Sequence, residues 1–219
     1  EETSYENILN SNANFNVIDP YVTAVYYSNF GLNINAGARL NKHNVYGNHT
    51  TFNFNPSFSF KSVPIKLISS YSTAYITPSL YQLYSPYGNQ ALKPEYGETW
   101  ELGIDQSAGN WSGRLVAFQN KVRDGIVFQA MNEEPYGRYA NFAQQQTRGI
   151  EAEFRYVHAK FSASGSYTYL SGNIQSIVGS VDSTYSSLIR RPKHQISLRL
   201  AHQISAKLTF NVFTQFVGE

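Results

Sequence analysis

Apolar and polar residues alternate one for one through long stretches of this chain, and that period of two constrains its fold more than any other feature. Along 32–41, Leu32, Ile34, Ala36, Ala38 and Leu40 share one face, while Asn33, Asn35, Gly37 and Arg39 share the other. Along 52–60, Phe52, Phe54, Phe58 and Phe60 alternate with Asn53, Asn55, Ser57 and Ser59. Segments 150–156, 160–169 and 195–200 repeat the pattern, and none keeps a helical spacing. The pattern predicts ten strands, near 16–28, 32–42, 50–60, 65–75, 97–108, 111–122, 138–157, 160–170, 193–203 and 207–216. Most are ten residues or longer. Strands of globular domains run about five or six residues, whereas a tilted membrane-spanning strand needs about nine to eleven.

The predicted connections alternate in length. Those at 29–31, 61–64, 109–110, 158–159 and 204–206 are short. Those at 43–49, 76–96, 123–137 and 171–192 are long, and 1–15 reads as one more loop at the long end. An up-and-down barrel of the outer membrane has short turns at its periplasmic end and long loops outside. The polar face carries small amides and hydroxyls with a few charges: Arg39, Glu101, Asp105, Glu151, Glu153, Arg155 and Arg199. That suits a lumen lined by hydrogen-bonding groups better than an ordinary wet surface.

Composition agrees. Aromatics reach 15%, with 17 Tyr and 14 Phe, and charged residues are also 15%, against roughly 25% in soluble domains. On composition alone a soluble all-β protein stays open; strand length and loop sorting separate the two. The net charge of +2 comes without a basic run, which argues against nucleic acid. With no Cys there is no disulfide frame and no thiolate site. No apolar stretch is long enough for a membrane-spanning helix, so crossing a bilayer falls to strands in a closed barrel.

Residues 65–105 read IKLISSYSTAYITPSLYQLYSPYGNQALKPEYGETWELGID. This text resembles the barrel region of TonB-dependent outer-membrane receptors, through Thr77, Pro78, Ser79, Leu80, Leu83, Tyr84, Tyr87, Gly88, Asn89, Leu92, Lys93, Pro94, Glu95, Trp100, Glu101 and Gly103. The family often has Pro after the Gly-Asn, where this chain has Gln90. Residues 118–126 (FQNKVRDGI), 141–153 (NFAQQQTRGIEAE) and 190–192 (RRP) match the family's later segments in order. The overall wording, with YGNQALKPE and LIRRPKHQISLRL (188–200), is most similar to vitamin B12 (cobalamin) receptors.

The resemblance implies a barrel of about 22 strands around a plug, of which residues 1–219 form a partial β-barrel domain. The implied function is active outer-membrane transport of a large scarce nutrient, cobalamin or an iron–siderophore complex. TonB would act through a region outside this chain. The other expected partner is outer-membrane lipid. The two sheet edges of such a piece would be removed by self-closure or by pairing with a second copy. Expected ligand contacts in the outer loops are Tyr81, Tyr84, Tyr87 and Asn89. Aromatic-belt anchoring is the competing reading for each tyrosine.

No catalytic set, metal site or cofactor is expected. Glu101 and Asp105 lie four residues apart on one strand face, which is roughly 13 Å and too far for paired-carboxylate chemistry. The five His show no ligand spacing. The competing functions are a barrel enzyme, for which no Ser–His partner set is evident, and a passive porin.

Overall fold

The computed structural model describes residues 14–142, 144–178, 181–185 and 191–218. The strands are β1 (Val17–Ile18), β2 (Tyr21–Tyr27), β3 (Leu32–His43), β4 (Gly47–Ser59), β5 (Ile65–Ile76), β6 (Glu95–Ala108) and β7 (Trp111–Arg123), with the helix α1 (Leu80–Tyr84) between β5 and β6. There follow β8 (Ile126–Ala130), β9 (Gly137–Asn141), β10 (Gln144–His158), β11 (Phe161–Val178), β12 (Val181–Tyr185), β13 (His194–Ser205) and β14 (Leu208–Gly218). One antiparallel sheet runs β1-β3-β4-β5-β6-β7-β10-β11-β13-β14, with β2 continuing β1 along β3 and β12 folded onto β11. β8 and β9 form a separate hairpin.

All ten predicted strands are present. Two are broken. The first divides into β1 and β2 at Asp19 and Pro20, where proline supplies no amide for the ladder. The segment expected at 138–157 divides into β9 and β10 at Phe142, which leaves the wall to pack elsewhere.

The long connections differ from expectation in content. The 76–96 segment holds α1, 123–137 holds the β8–β9 hairpin, and much of 171–192 extends β11 and forms β12. The 43–49 loop is a correction. β3 ends at His43 and β4 starts at Gly47, which leaves a tighter turn than the one between β4 and β5. His43 Nδ1 accepts from the Val45 and Tyr46 amides at 3.0 and 3.3 Å, and Gly47 takes a positive φ of 76°, so the reversal closes within three residues. Loop length therefore does not alternate strictly. The segment 1–15 lies almost wholly outside the described residues.

Register sorts the two faces. Leu67, Ile104, Leu115, Ala152, Tyr167, Ile196 and Phe216 are direct cross-strand neighbours in one row. The next row is Lys66, Asp105, Arg114, Glu153, Ser166, Ser197 and Gln215. A slip of one residue would exchange the whole apolar face for the polar one. The apolar face is uncovered: Trp100 is 55% exposed and Leu102 66%. So wide an apolar surface suits hydrocarbon, not water.

Two aromatic girdles bound that face. Phe52, Tyr71 and Trp100 contact in sequence, at ring distances of 5.4 and 4.0 Å. At the other end Trp111, Tyr156 and Phe161 follow at 4.7 and 6.3 Å. Trp111 pairs with Ala108, eight residues along β6 from Trp100. At about 3.4 Å per residue and a tilt of about 40°, the girdles stand roughly 21 Å apart along the membrane normal. The apolar band of an outer-membrane barrel is about 25 Å tall.

The polar face is concave. A cavity of about 890 Å³ is lined from Ser59 on β4 to Phe213 on β14, with Asp105, Arg114, Glu153, Arg155 and Arg199 around it. Among the described strands β2 pairs only with β3 and β14 only with β13, so the sheet is open between them. A closed barrel of so few strands has an interior that side chains nearly fill, whereas this face bounds an open hollow.

Candidate functional site

The ends of the wall differ. One carries tight turns such as Gly109-Asn110, where Gly109 has φ 58°. The other carries a small folded cap built from α1, the loop after it, and the β8–β9 hairpin. Ser79 starts the helix with a capping box: its Oγ accepts from the Gln82 amide at 3.2 Å, and Gln82 Oε1 accepts from the Ser79 amide at 2.9 Å. Pro78, just before it, is fully buried. Gly88 turns the chain back, and a Cβ there would lie 2.6 Å from the Leu83 carbonyl oxygen.

The cap holds the buried apolar side chains of the described residues: Leu83 (8% exposed), Leu92 (3%) and Phe142 (9%). Burial contributes about 1.5–3 kcal/mol for each. Phe142 seats over Gly125, whose Cβ position lies 2.0 Å from the ring, and its amide donates to the Gly125 carbonyl at 2.8 Å.

The residues that carry the sequence resemblance tie this cap together. Asn141 faces the backbone of Lys93: its Oδ1 accepts from the Lys93 amide and its Nδ2 donates to the Lys93 carbonyl, both at 2.9 Å. The same Nδ2 reaches the Asp124 carbonyl. Glu95 accepts from the Ile126 amide at 3.1 Å. The loop and both ends of the hairpin are thus joined by side chains substituting for strand partners.

Tyr81, Tyr84, Tyr87 and Asn89 all lie in this cap. Tyr87 is exposed, and its ring meets Phe128 edge-on at 5.6 Å. Tyr81 meets Tyr139 edge-on at 6.2 Å, and Phe128 meets Tyr139 at 5.4 Å. Tyr81, Tyr87, Phe128 and Tyr139 therefore form one aromatic cluster. Tyr84 stands apart, on the side of Tyr46. Burial, reinforced by Tyr84, raises the Tyr46 phenol above its usual range, and its hydroxyl donates to the Leu92 carbonyl at 3.4 Å. Asn89 is occupied within the cap. Its Nδ2 donates to the Tyr139 carbonyl at 2.9 Å, and its Oδ1 accepts from the Ala91 amide at 3.0 Å and from Arg138 at 3.2 Å. Sequence reasoning missed Phe128 and Tyr139 as parts of this cluster, and it placed Asn141 in a motif without linking it to Lys93. Tyr87 and Phe128 are 41 residues apart, Lys93 and Asn141 48, and Tyr81 and Tyr139 58, and no local period links them.

At the opposite end, the cavity wall carries an ion pair in a fork, Arg114 Nε and Nη2 to Asp105 Oδ1 and Oδ2 at 2.6 and 2.9 Å. Lys66 and Glu153 are their cross-strand neighbours, so the row alternates in sign. Near the sheet edge, Asp19 joins Arg39 and Asn41.

The chain superposes on several solved structures. The siderophore receptor PirA from Pseudomonas aeruginosa matches at a TM-score of 0.76 and 21% identity, over 93% of this chain and 38% of that one. The copper transporter OprC matches at 0.77 and 14%, over 93% and 34%. The Serratia marcescens hemophore receptor HasR matches at 0.77 and 13%, over 93% and 44%. The chain thus spans under half the length of these proteins, and at these identities the likeness is one of fold. Residues 3–218 match the family model described as TonB dependent receptor-like, beta-barrel, and the chain belongs to this family of bacterial outer-membrane proteins.

Proposed function

We propose that residues 1–219 form part of the barrel of a TonB-dependent transporter that actively imports a large scarce nutrient, cobalamin or an iron–siderophore complex. The observation that carries this reading is the division of one wall into a capture end and a conduit. The aromatic cap stands at one end, and below it a polar, concave face runs to the turn end. Further strands of the same barrel would continue β2 and β14, and TonB would act through a region outside this chain.

Family membership supports the transport class. For the cargo, the fold neighbours include a siderophore receptor and a hemophore receptor, which favours a large metal chelate. Part of the wording similar to cobalamin receptors falls on 188–200, and the rest falls on Asn89, Lys93 and Glu95, which bond within the cap. Those residues shape the loop whatever the cargo, so an iron–siderophore complex is the first cargo to test. Among the expected contacts, Tyr87 is the most open and Tyr81 lies in the same cluster. Tyr84 and Asn89 would act from its margin.

The test is equilibrium binding by the full-length protein in detergent, against ferric siderophores and cobalamin. Submicromolar binding of one chelate, weakened about ten-fold or more by Tyr87→Ala, is the expected result. Tight cobalamin binding would move the cargo to the vitamin. Binding of no chelate, with solute flux that survives collapse of the proton-motive force, would replace the transporter by a passive porin.

A further inference from the structure

The tight turn between β3 and β4 stands beside the cap, and the side chain that closes it is a buried histidine. His43 is 4% exposed. It lies five residues along β3 from Ala38, the cross-strand neighbour of the girdle residue Phe52. That places it roughly 13 Å beyond the girdle along the membrane normal, outside the hydrocarbon. Its Nδ1 accepts from the Val45 and Tyr46 amides at 3.0 and 3.3 Å, and its Nε2 has no hydrogen-bond partner among the described residues. Two aromatic rings flank it, Phe15 at 4.9 Å and Tyr46 at 5.0 Å.

An imidazole accepts at Nδ1 only while it is neutral, with its proton on Nε2. A second proton would turn that acceptor into a donor aimed at two N–H groups, and both amides of the reversal would lose their partner. Burial holds the His43 imidazole below its ordinary pKa, opposed in part by the charge of Asp19. Asp19 is itself engaged by Arg39 and Asn41. The other titratable groups nearby are Tyr46, with Tyr84 of α1 beyond it, and His49 on β4, which stacks on Tyr75 at 4.2 Å. Lys42, next along β3, points to the opposite face.

The turn reaches the cap through Tyr46, whose hydroxyl donates to the Leu92 carbonyl. Leu92 is one of the buried apolar side chains of the cap, and its neighbour Lys93 is held at both amide and carbonyl by Asn141. We propose that neutral His43 positions the cap against the wall, and that its protonation releases the cap as pH falls. This goes beyond the transport reading and rests on it only in taking the cap as the capture end. The stability that the turn draws from neutral His43 is fully present above the ordinary histidine pKa of about 6.5. It is lost as pH falls from there toward the lowered value of the folded state.

The test follows amide hydrogen exchange over residues 88–94 of the full-length protein in detergent, at pH 7.5 and pH 5.0. Rates are expressed as protection factors, which divide out the intrinsic pH dependence of exchange. The wild type should lose at least about three-fold of its protection at the lower pH. His43→Asn offers an Oδ1 that can accept the same amides as an Asx turn and does not titrate. It should match the wild type at pH 7.5 and lose nothing at pH 5.0. An unresponsive wild type, or an equal drop in His43→Asn, overturns the proposal. Should His43→Asn fail to fold, Tyr46→Phe carries the test: protection should be lower at both pH values and their difference abolished, and a surviving difference overturns the proposal. His49→Gln should respond as the wild type does, and loss of the response there would assign it to His49 instead. Exchange is read without cargo, so failure to bind any ferric chelate would overturn the transport reading and leave this one standing. Where a chelate binds, its affinity should weaken more at pH 5.0 in the wild type than in His43→Asn.

Discussion

The wall and the cap solve the same problem by opposite means. In the wall, each strand is satisfied by its neighbours' backbone, and its apolar side chains remain exposed, as in Leu102 and Phe216. In the cap, regular pairing is short, and order comes from three buried apolar side chains and from Asn89, Glu95 and Asn141 bonding to backbone. A single layer in lipid needs no interior, because the lipid takes the apolar face. A loop cluster in water has to build a core, however small. The lesson is that one chain answers to two solvents, and that a side chain's worth depends on which one it meets.

The comparison breaks first at Phe142. Phe142→Ala removes the largest buried side chain of the cap and should destabilise it by about 3–5 kcal/mol. Hydrogen exchange should then speed at the Leu83 and Leu92 amides, while the β6 and β7 amides keep their protection. Equal loss in the wall would show that the two regions open as one unit.

Next in size is the wall's own asymmetry. Ile104→Arg sets a charge in mid-band on the lipid face and should cost about 2–4 kcal/mol in folding into vesicles, read by guanidinium titration of the full-length barrel. Ser166→Arg on the concave face should change that free energy little. Equal penalties would undo the assignment of faces.

This asymmetry also explains what could be read from sequence. In a single layer, parity decides the surroundings of a residue: Leu102 and Glu101 face opposite ways because they are adjacent. Alternation therefore placed the ten wall strands and the polar face without any knowledge of long-range contacts. The cap has no such rule. Lys93 meets Asn141 and Asn89 meets Tyr139 across long stretches of chain, and no period records those meetings. One local signal did exist for α1, the Ser79–Gln82 capping box, but a helix of five residues is too short for periodicity to register. The tight turn after β3 was hidden for a similar reason, since it depends on His43 accepting two amides. The motif around Tyr84 and Tyr87 put the expected ligand contacts in the segment between β5 and β6, where the cap is built. Their aromatic partners, Phe128 and Tyr139, arrive only through folding.

A smaller effect sharpens the role of the motif. Asn141→Ala deletes the bonds to Lys93 and Asp124 and should destabilise the cap by about 1–3 kcal/mol. If Asn141 only positions the loop, chelate affinity should fall and be restored in part by Asn141→Asp, whose carboxylate still accepts from the Lys93 amide. A loss of affinity with unchanged exchange rates in the cap would instead mean that the amide touches the cargo.

The smallest expected effect lies in the wall's polar face. The fork between Arg114 and Asp105 has good geometry, but the Arg114 side chain is 54% exposed, and exposed pairs contribute only about 0.2–1 kcal/mol. Arg114→Gln should therefore shift the unfolding midpoint of the full-length barrel by little, and less still at high salt. The prediction is informative because it depends on water filling the hollow. If another domain packs against this face in the intact protein, Asp105 would be left unpaired in a dry interface and the penalty would rise to about 3–5 kcal/mol. Measuring Arg114→Gln with and without the rest of the polypeptide thus tells whether the row of Lys66, Asp105, Arg114 and Glu153 is a wet channel wall or one half of an interface.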